Sequence, residues 1–118
     1  MSPSDWQADG RLPSEVWIKA HLRRCFAEGM PATVVRRGEK NSGTLILKIN
    51  QLEAGCRVLN QTRDLDGVLA WMPALGGELV EESDADAYIE RAVARDPDVW
   101  VVEIEDREGR HPFEGKVL

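Results

Sequence analysis

Between Pro13 and Gly29 the apolar residues recur at helical spacing. Ile18, Leu22, Cys25 and Phe26 form one stripe, and Val16, Ala20 and Ala27 form a smaller one. Trp17, His21, Arg24 and Glu28 share a third line. Pro13-Ser14-Glu15 is a start signal, and Gly29 before Pro31 is a stop. The period then changes to two. ATVVRRG and TLILKIN flank the polar loop EKNSG, which predicts a β-hairpin. In its second strand Leu45, Leu47 and Ile49 point one way, and Ile46, Lys48 and Asn50 the other. Glu53-Ala54-Gly55 turns into CRVLNQT, and Asp66-Gly67 turns into VLAWM, so four short strands form an antiparallel meander.

Gly76-Gly77 ends the strand pattern. Ser83 with Asp86 resembles a capping box, and Ala85, Tyr88, Ile89, Ala92 and Val93 give the stripe of a second helix. That helix must stop near Asp96, because the residue before Pro97 avoids helical geometry. The stretch DPDVWVVEIED follows as a last strand. Trp100, Val102 and Ile104 then share a core face, while Val101, Glu103 and Glu105 share the opposite one. Two striped helices need a sheet to cover. The expectation is an α+β, two-layer domain of order α-β-β-β-β-α-β. Its antiparallel sheet has about five strands, with both helices on one face. Residues 12–109 make the single domain, 1–11 an N-terminal tail and 110–118 a C-terminal tail.

The chain of 118 residues is long enough to bury a core without staples, and 42% apolar with 31% charged residues is a globular balance. It shows no apolar run of membrane-spanning length and no secretory signal at the start, so no membrane partner is expected. Cys25 and Cys56 match no zinc or redox spacing and read as reduced, partly buried thiols of a cytoplasmic protein. The net charge of −6 divides into +4 over residues 1–63 and −10 over residues 64–118. The overall acidity argues against a duplex-DNA partner, whose affinity rests on phosphate contacts.

The chemistry is sparse. Glu103, Glu105 and Asp106 are the only acids that suggest a metal-dependent hydrolase. Glu103 and Glu105 lie about 6.6 Å apart, two strand rises, and need help from other strands to hold one ion. Alternation alone explains them as a solvated face. The element order resembles restriction-endonuclease-like nucleases, but their acid-x-lysine is unmatched: Glu103-Ile104-Glu105 has no lysine, and Ile46 precedes Lys48 by two. His21 and His111, the only histidines, sit in no catalytic motif, and His21 reads as a surface residue. No glycine run cradles a phosphate, and no cofactor, metal or catalytic residue is assigned. The feature that does suggest binding is Trp17, His21 and Arg24 on one helical line, with Arg36 and Arg37 nearby in sequence. A tryptophan beside cations can stack a ring or an RNA end.

EVWIKAHLRRC, ATVVRRG, TLILKIN and DPDVWVVEIED together resemble a small bacterial family of unknown function, found mainly in alphaproteobacteria. The resemblance implies a stand-alone cytoplasmic domain and carries over no catalytic residue. With both helices on one side, the other sheet face would be bare. Ile46, Lys48, Val101 and Glu103 on that face suit a homodimer or another protein partner. The leading expectation is therefore a non-enzymatic interaction module, with a small-ligand or RNA-end binder as the alternative.

Overall fold

The computed structural model describes residues 12–118. The expected order holds: α1 (Ser14–Ala27), β1 (Ala32–Arg36), β2 (Leu45–Asn50), β3 (Cys56–Arg63), β4 (Leu69–Pro73), α2 (Glu82–Arg95) and β5 (Trp100–Glu105). A short sixth strand, β6 (Lys116–Val117), follows, and 3₁₀ turns span Leu52–Ala54 and Leu75–Gly77. The fold is α+β, with one six-stranded sheet in the order β1-β5-β2-β3-β4-β6.

The sheet is mixed, not antiparallel throughout. β2, β3 and β4 form the expected antiparallel meander. β5 instead enters between β1 and β2, antiparallel to the first and parallel to the second. The hairpin expected from ATVVRRG and TLILKIN therefore does not form. The reason lies in β5, whose Trp100, Val101, Val102 and Ile104 are all buried. A strand apolar on both faces gains most in the middle of a sheet with layers on either side. The loop 37–43 is what lets β1 and β2 part. Glu39 N–H donates to Asp98 O, and the carbonyl of Glu39 accepts from Trp100 Nε1 at 2.8 Å. A Cβ on Gly38 or Gly43 would fall 2.2 or 2.3 Å from Asp98 O, so only glycine lets these two loops touch.

The helices lie on opposite faces, which corrects the expected two-layer arrangement to three layers. α1 covers Leu45, Leu47, Ile49, Leu59, Trp71, Trp100, Val102 and Ile104. α2 covers Ile46, Cys56, Val58 and Val101 through Ala85, Ile89 and Ala92. The supposed bare face is the second core. Ile46, Lys48 and Val101 are buried within the chain, so the homodimer expected through them and Glu103 loses its surface. Lys48 is the polar residue that makes this face resemble a wet one, and the acids of α2 are what allow it to be buried.

Three further details differ. α1 buries Trp17, Ile18, His21 and Cys25, while Phe26 is 62% exposed, so the buried stripe is rotated from the expected one. The capping box does not form: α2 starts at Glu82 with no side-chain cap, and Asp86 bonds Lys48 instead. Residues 110–118 are no tail, since Phe113 is buried and β6 pairs with β4. The N-terminal tail 1–11, with Trp6, lies outside the described residues.

Candidate functional site

The five residues picked out for binding separate. Trp17 and His21 turn inward, and His21, only 3% exposed, is not a surface residue. Its ring lies 4.0 Å from the Trp17 ring and 5.1 Å from that of Phe113. Arg24 stays exposed on α1. Arg36 donates to the carbonyls of Pro97 and Val99 at 2.8 and 3.0 Å, locking β1 to the loop before β5. Arg37 pairs with Glu15 and lies over the Trp100 ring. These two arginines are structural ties, and no joint basic patch results.

The three acids of the hydrolase reading also separate. Glu103 meets Lys48 at 3.5 Å and accepts from Asn50 Nδ2 at 3.1 Å. Asp106 is held by Arg110, and Glu105 is exposed. Among the described residues no three His, Cys, Asp or Glu side chains are grouped to hold a metal. Lys48 lies on β2 beside Glu103 of β5, under α2, and also bonds Glu82 and Asp86 at 2.7 Å each. Burial pushes the ammonium pKa down, but the hydrogen bonds from Asp86 and Glu82 and the charge of Glu103 outweigh it, so it lies above its ordinary value. This lysine is a charged clasp between helix and sheet. A free base would need the opposite shift.

The cavity that does suit a ligand opens beside the N-terminus of α1. It measures about 430 Å³. Leu12, Trp17, Ile18 and Leu69 give it apolar walls; Ser14, Asn41, Ser42, Thr44, Gln61, Thr62 and Arg63 give it polar ones. Each side has a cause in the fold. The loop 39–44 is shaped by Glu39, whose carboxylate accepts from the N–H groups of Asn41 and Ser42 and from the Ser42 hydroxyl. Those bonds hold the Glu39 carboxyl below its usual range, the Ser42 N–H foremost. Ser14 Oγ donates to Gly43 O at 2.7 Å, tying the loop to the helix start. Gln61 Oε1 accepts from Leu45 N–H, which aims the amide NH₂ of Gln61 away from that bond. A half-apolar cleft with a few fixed polar groups is the usual form of a small-molecule site.

Of the residues picked out for binding from sequence, Trp17 alone lines this cavity. Gln61, Thr62 and the 41–44 loop were missed, because isolated amides and hydroxyls in a strand and a turn carry no spacing signal. The lining holds no carboxylate, imidazole or thiol. Elsewhere Cys25 and Cys56 are buried and unpaired; burial pushes the Cys25 thiol up to about 11 and raises Cys56 too. No described helix is long and apolar enough to cross a membrane.

Known proteins share this architecture. A crystal structure of a DUF1491 family protein from Caulobacter crescentus CB15 matches with a TM-score of 0.81 and 39% identity, over 91% of this chain and 99% of that one. An NMR structure of a DUF1491 family protein from the same organism gives 0.78 and 38%, over 92% and 97%. A solution structure of a protein from A. tumefaciens gives 0.68 and 28%, over 81% and 86%. A search of curated proteins finds no match. The model of the family described as "Protein of unknown function (DUF1491)" matches residues 12–114, and the chain belongs to that family.

Proposed function

We propose that this protein is a non-enzymatic binding module whose ligand is a small organic molecule held in the cavity beside α1. The observation that carries this reading is the lining itself: an apolar wall that includes Trp17, faced by hydroxyls, amides and one guanidinium. Such a wall favours an uncharged or singly anionic molecule with an apolar body and carbonyl or carboxylate acceptors at one edge. A cation finds no carboxylate there. The hydroxyls of the lining have no imidazole, carboxylate or thiol beside them in it to activate them or move a proton, which supports binding over turnover. The buried free thiols suit a reducing compartment, so the cytoplasm is its proposed place of action.

The test is tryptophan fluorescence of the whole chain titrated with benzoate, hexanoate, uracil and uridine. Saturable change with at least one of them is expected, since Trp17 lines the cavity. Gln61→Leu and Thr62→Val should each weaken that binding about tenfold, as loss of one good hydrogen bond does. Binding that is indifferent to both substitutions would reject the site.

A further inference from the structure

The last nine residues form a strap across the α1 face of the sheet. Phe113 is inserted beside Trp17, His21 and Trp71, with ring centroids 5.7, 5.1 and 6.3 Å away. Beyond it, Trp71 Nε1 donates to Glu114 O at 3.0 Å, and Leu118 N–H donates to Trp71 O at 2.9 Å. The pairing with β4 involves only Ala70 with Lys116 and Trp71 with Val117. A two-residue strand, the ion pair of exposed Lys116 with Asp64 and one aromatic anchor hold the strap, so its docking depends on how the rings around Phe113 pack.

Two imidazoles sit in that attachment. His21 bonds the Trp17 carbonyl through Nδ1 at 2.7 Å. A carbonyl only accepts, so Nδ1 carries the proton. Nε2 is then a bare acceptor, buried, with no protein partner among the described residues. His111, edge-on to Trp71 at 6.0 Å, likewise buries Nδ1 without a partner. A protonated ring would place an unanswered N–H donor in each position.

We propose that the strap is an acid-released latch: while both imidazoles are neutral it stays docked on Trp71 and α1, and protonation of His21 and His111 detaches it. The charges facing them agree. Arg24, on the same helix, opposes a proton on His21, and Arg57, on β3, opposes one on His111; Glu114, on the strap, favours one on His21. Burial, the largest cause for both, lowers each below the ordinary histidine value, with the bond to the Trp17 carbonyl partly offsetting it at His21. A group with a lowered pKa in the docked state leaves docking intact above about pH 6.5 and weakens it as pH falls toward that lowered value. In that window the docking constant falls up to about tenfold per pH unit for each imidazole. The strap's ion pairs do not titrate there. Lys116 holds Asp64, and Arg110 holds Asp106, below the usual carboxylate range. The latch shares the Trp17 ring with the cavity, but it rests on its own contacts and is tested without a ligand.

The experiment is NMR of the whole chain from pH 7.5 to 5, following both histidine rings, the Trp71 indole N–H and the amides of β2 and β5. The expected result is that both rings titrate below 6.5, that the indole resonance moves with them, and that the β2 and β5 amides stay in place. An indole that holds its position until the whole fold unfolds overturns the latch, as do ring pKa values at or above 6.5. Two variants sharpen it. Gly115 has φ +123°, and a Cβ there would come 3.0 Å from Trp71 Nε1; Gly115→Val should put the indole at its acid position at pH 7.5, and an unmoved indole contradicts the proposal. In His21→Gln/His111→Gln the indole should ignore pH, and an indole that still moves sinks it.

Discussion

Trp100→Ala destabilises the domain by about 3–5 kcal/mol, the usual cost of truncating a buried aromatic. The ring is fully buried against the α1 layer, its Nε1 donates to Glu39 O, and the Arg37 guanidinium lies 5.4 Å from its centre. Gly38 packs its backbone within reach of the same ring. Removing the indole therefore opens a cavity in the core beneath α1 and frees the loop 37–43. Because Asn41, Ser42, Gly43 and Thr44 line the ligand cavity, the variant should also lose binding to any ligand of the wild-type protein. Urea unfolding gives the first quantity, and fluorescence titration the second. Glu103→Ala is the contrast on the same strand. Glu103 keeps 25% of its side-chain surface and shares Lys48 with two other acids, so its loss costs about 1 kcal/mol. If Glu103→Ala is the more damaging change, the facing of β5 is wrong.

Lys48→Ala carries the second large effect. The side chain is 6% exposed and pairs with Glu82, Asp86 and Glu103. Removing one partner of a fully buried ion pair costs about 3–5 kcal/mol. Here Glu82 and Asp86 are about half exposed and can be rehydrated, so the expected loss is smaller, about 2–3 kcal/mol. Lys48→Met keeps the apolar stem under α2 and should recover about half of that. The pH dependence follows from the raised lysine pKa. The network's contribution is complete below the unfolded value of about 10.4 and fades as pH rises through the folded value. Wild-type stability should therefore fall in strong alkali by more than that of Lys48→Met. Equal slopes for the two proteins in urea melts above pH 10 would contradict the clasp.

The elements were legible because their signals are local. The stripe Ala85, Ile89 and Ala92 and the stop at Pro97 define α2 within a few residues. Turns at Gly55 and Gly67 separate β2, β3 and β4 as the glycine positions imply, both with positive φ. The layering was not legible, because it depends on what lies across β2 and β5. Val101 and Ile46 differ in no local way from residues on an exposed face, and Lys48 looks like a marker of water. Only the arrival of Glu82 and Asp86 from a helix 34 and 38 residues away makes its burial tolerable. The site suffered the same limit. Trp17 stood out by its size, whereas Gln61, Thr62 and Asn41 acquire meaning through a loop folded against a strand. The burial of His21 is not legible on its helix, because Phe113, which stacks on it at 5.1 Å, comes from the far end of the chain.

Binding in the cavity beside α1 can be seen residue by residue. The direct test is to record amide and indole spectra of labelled protein while adding the small-molecule fraction of a bacterial extract. The resonances that shift and saturate should cluster at Trp17, Gly43, Thr44, Gln61 and Thr62. Shifts centred instead on α2 or on the exposed edge of β1, or no saturable shift at all, would contradict it.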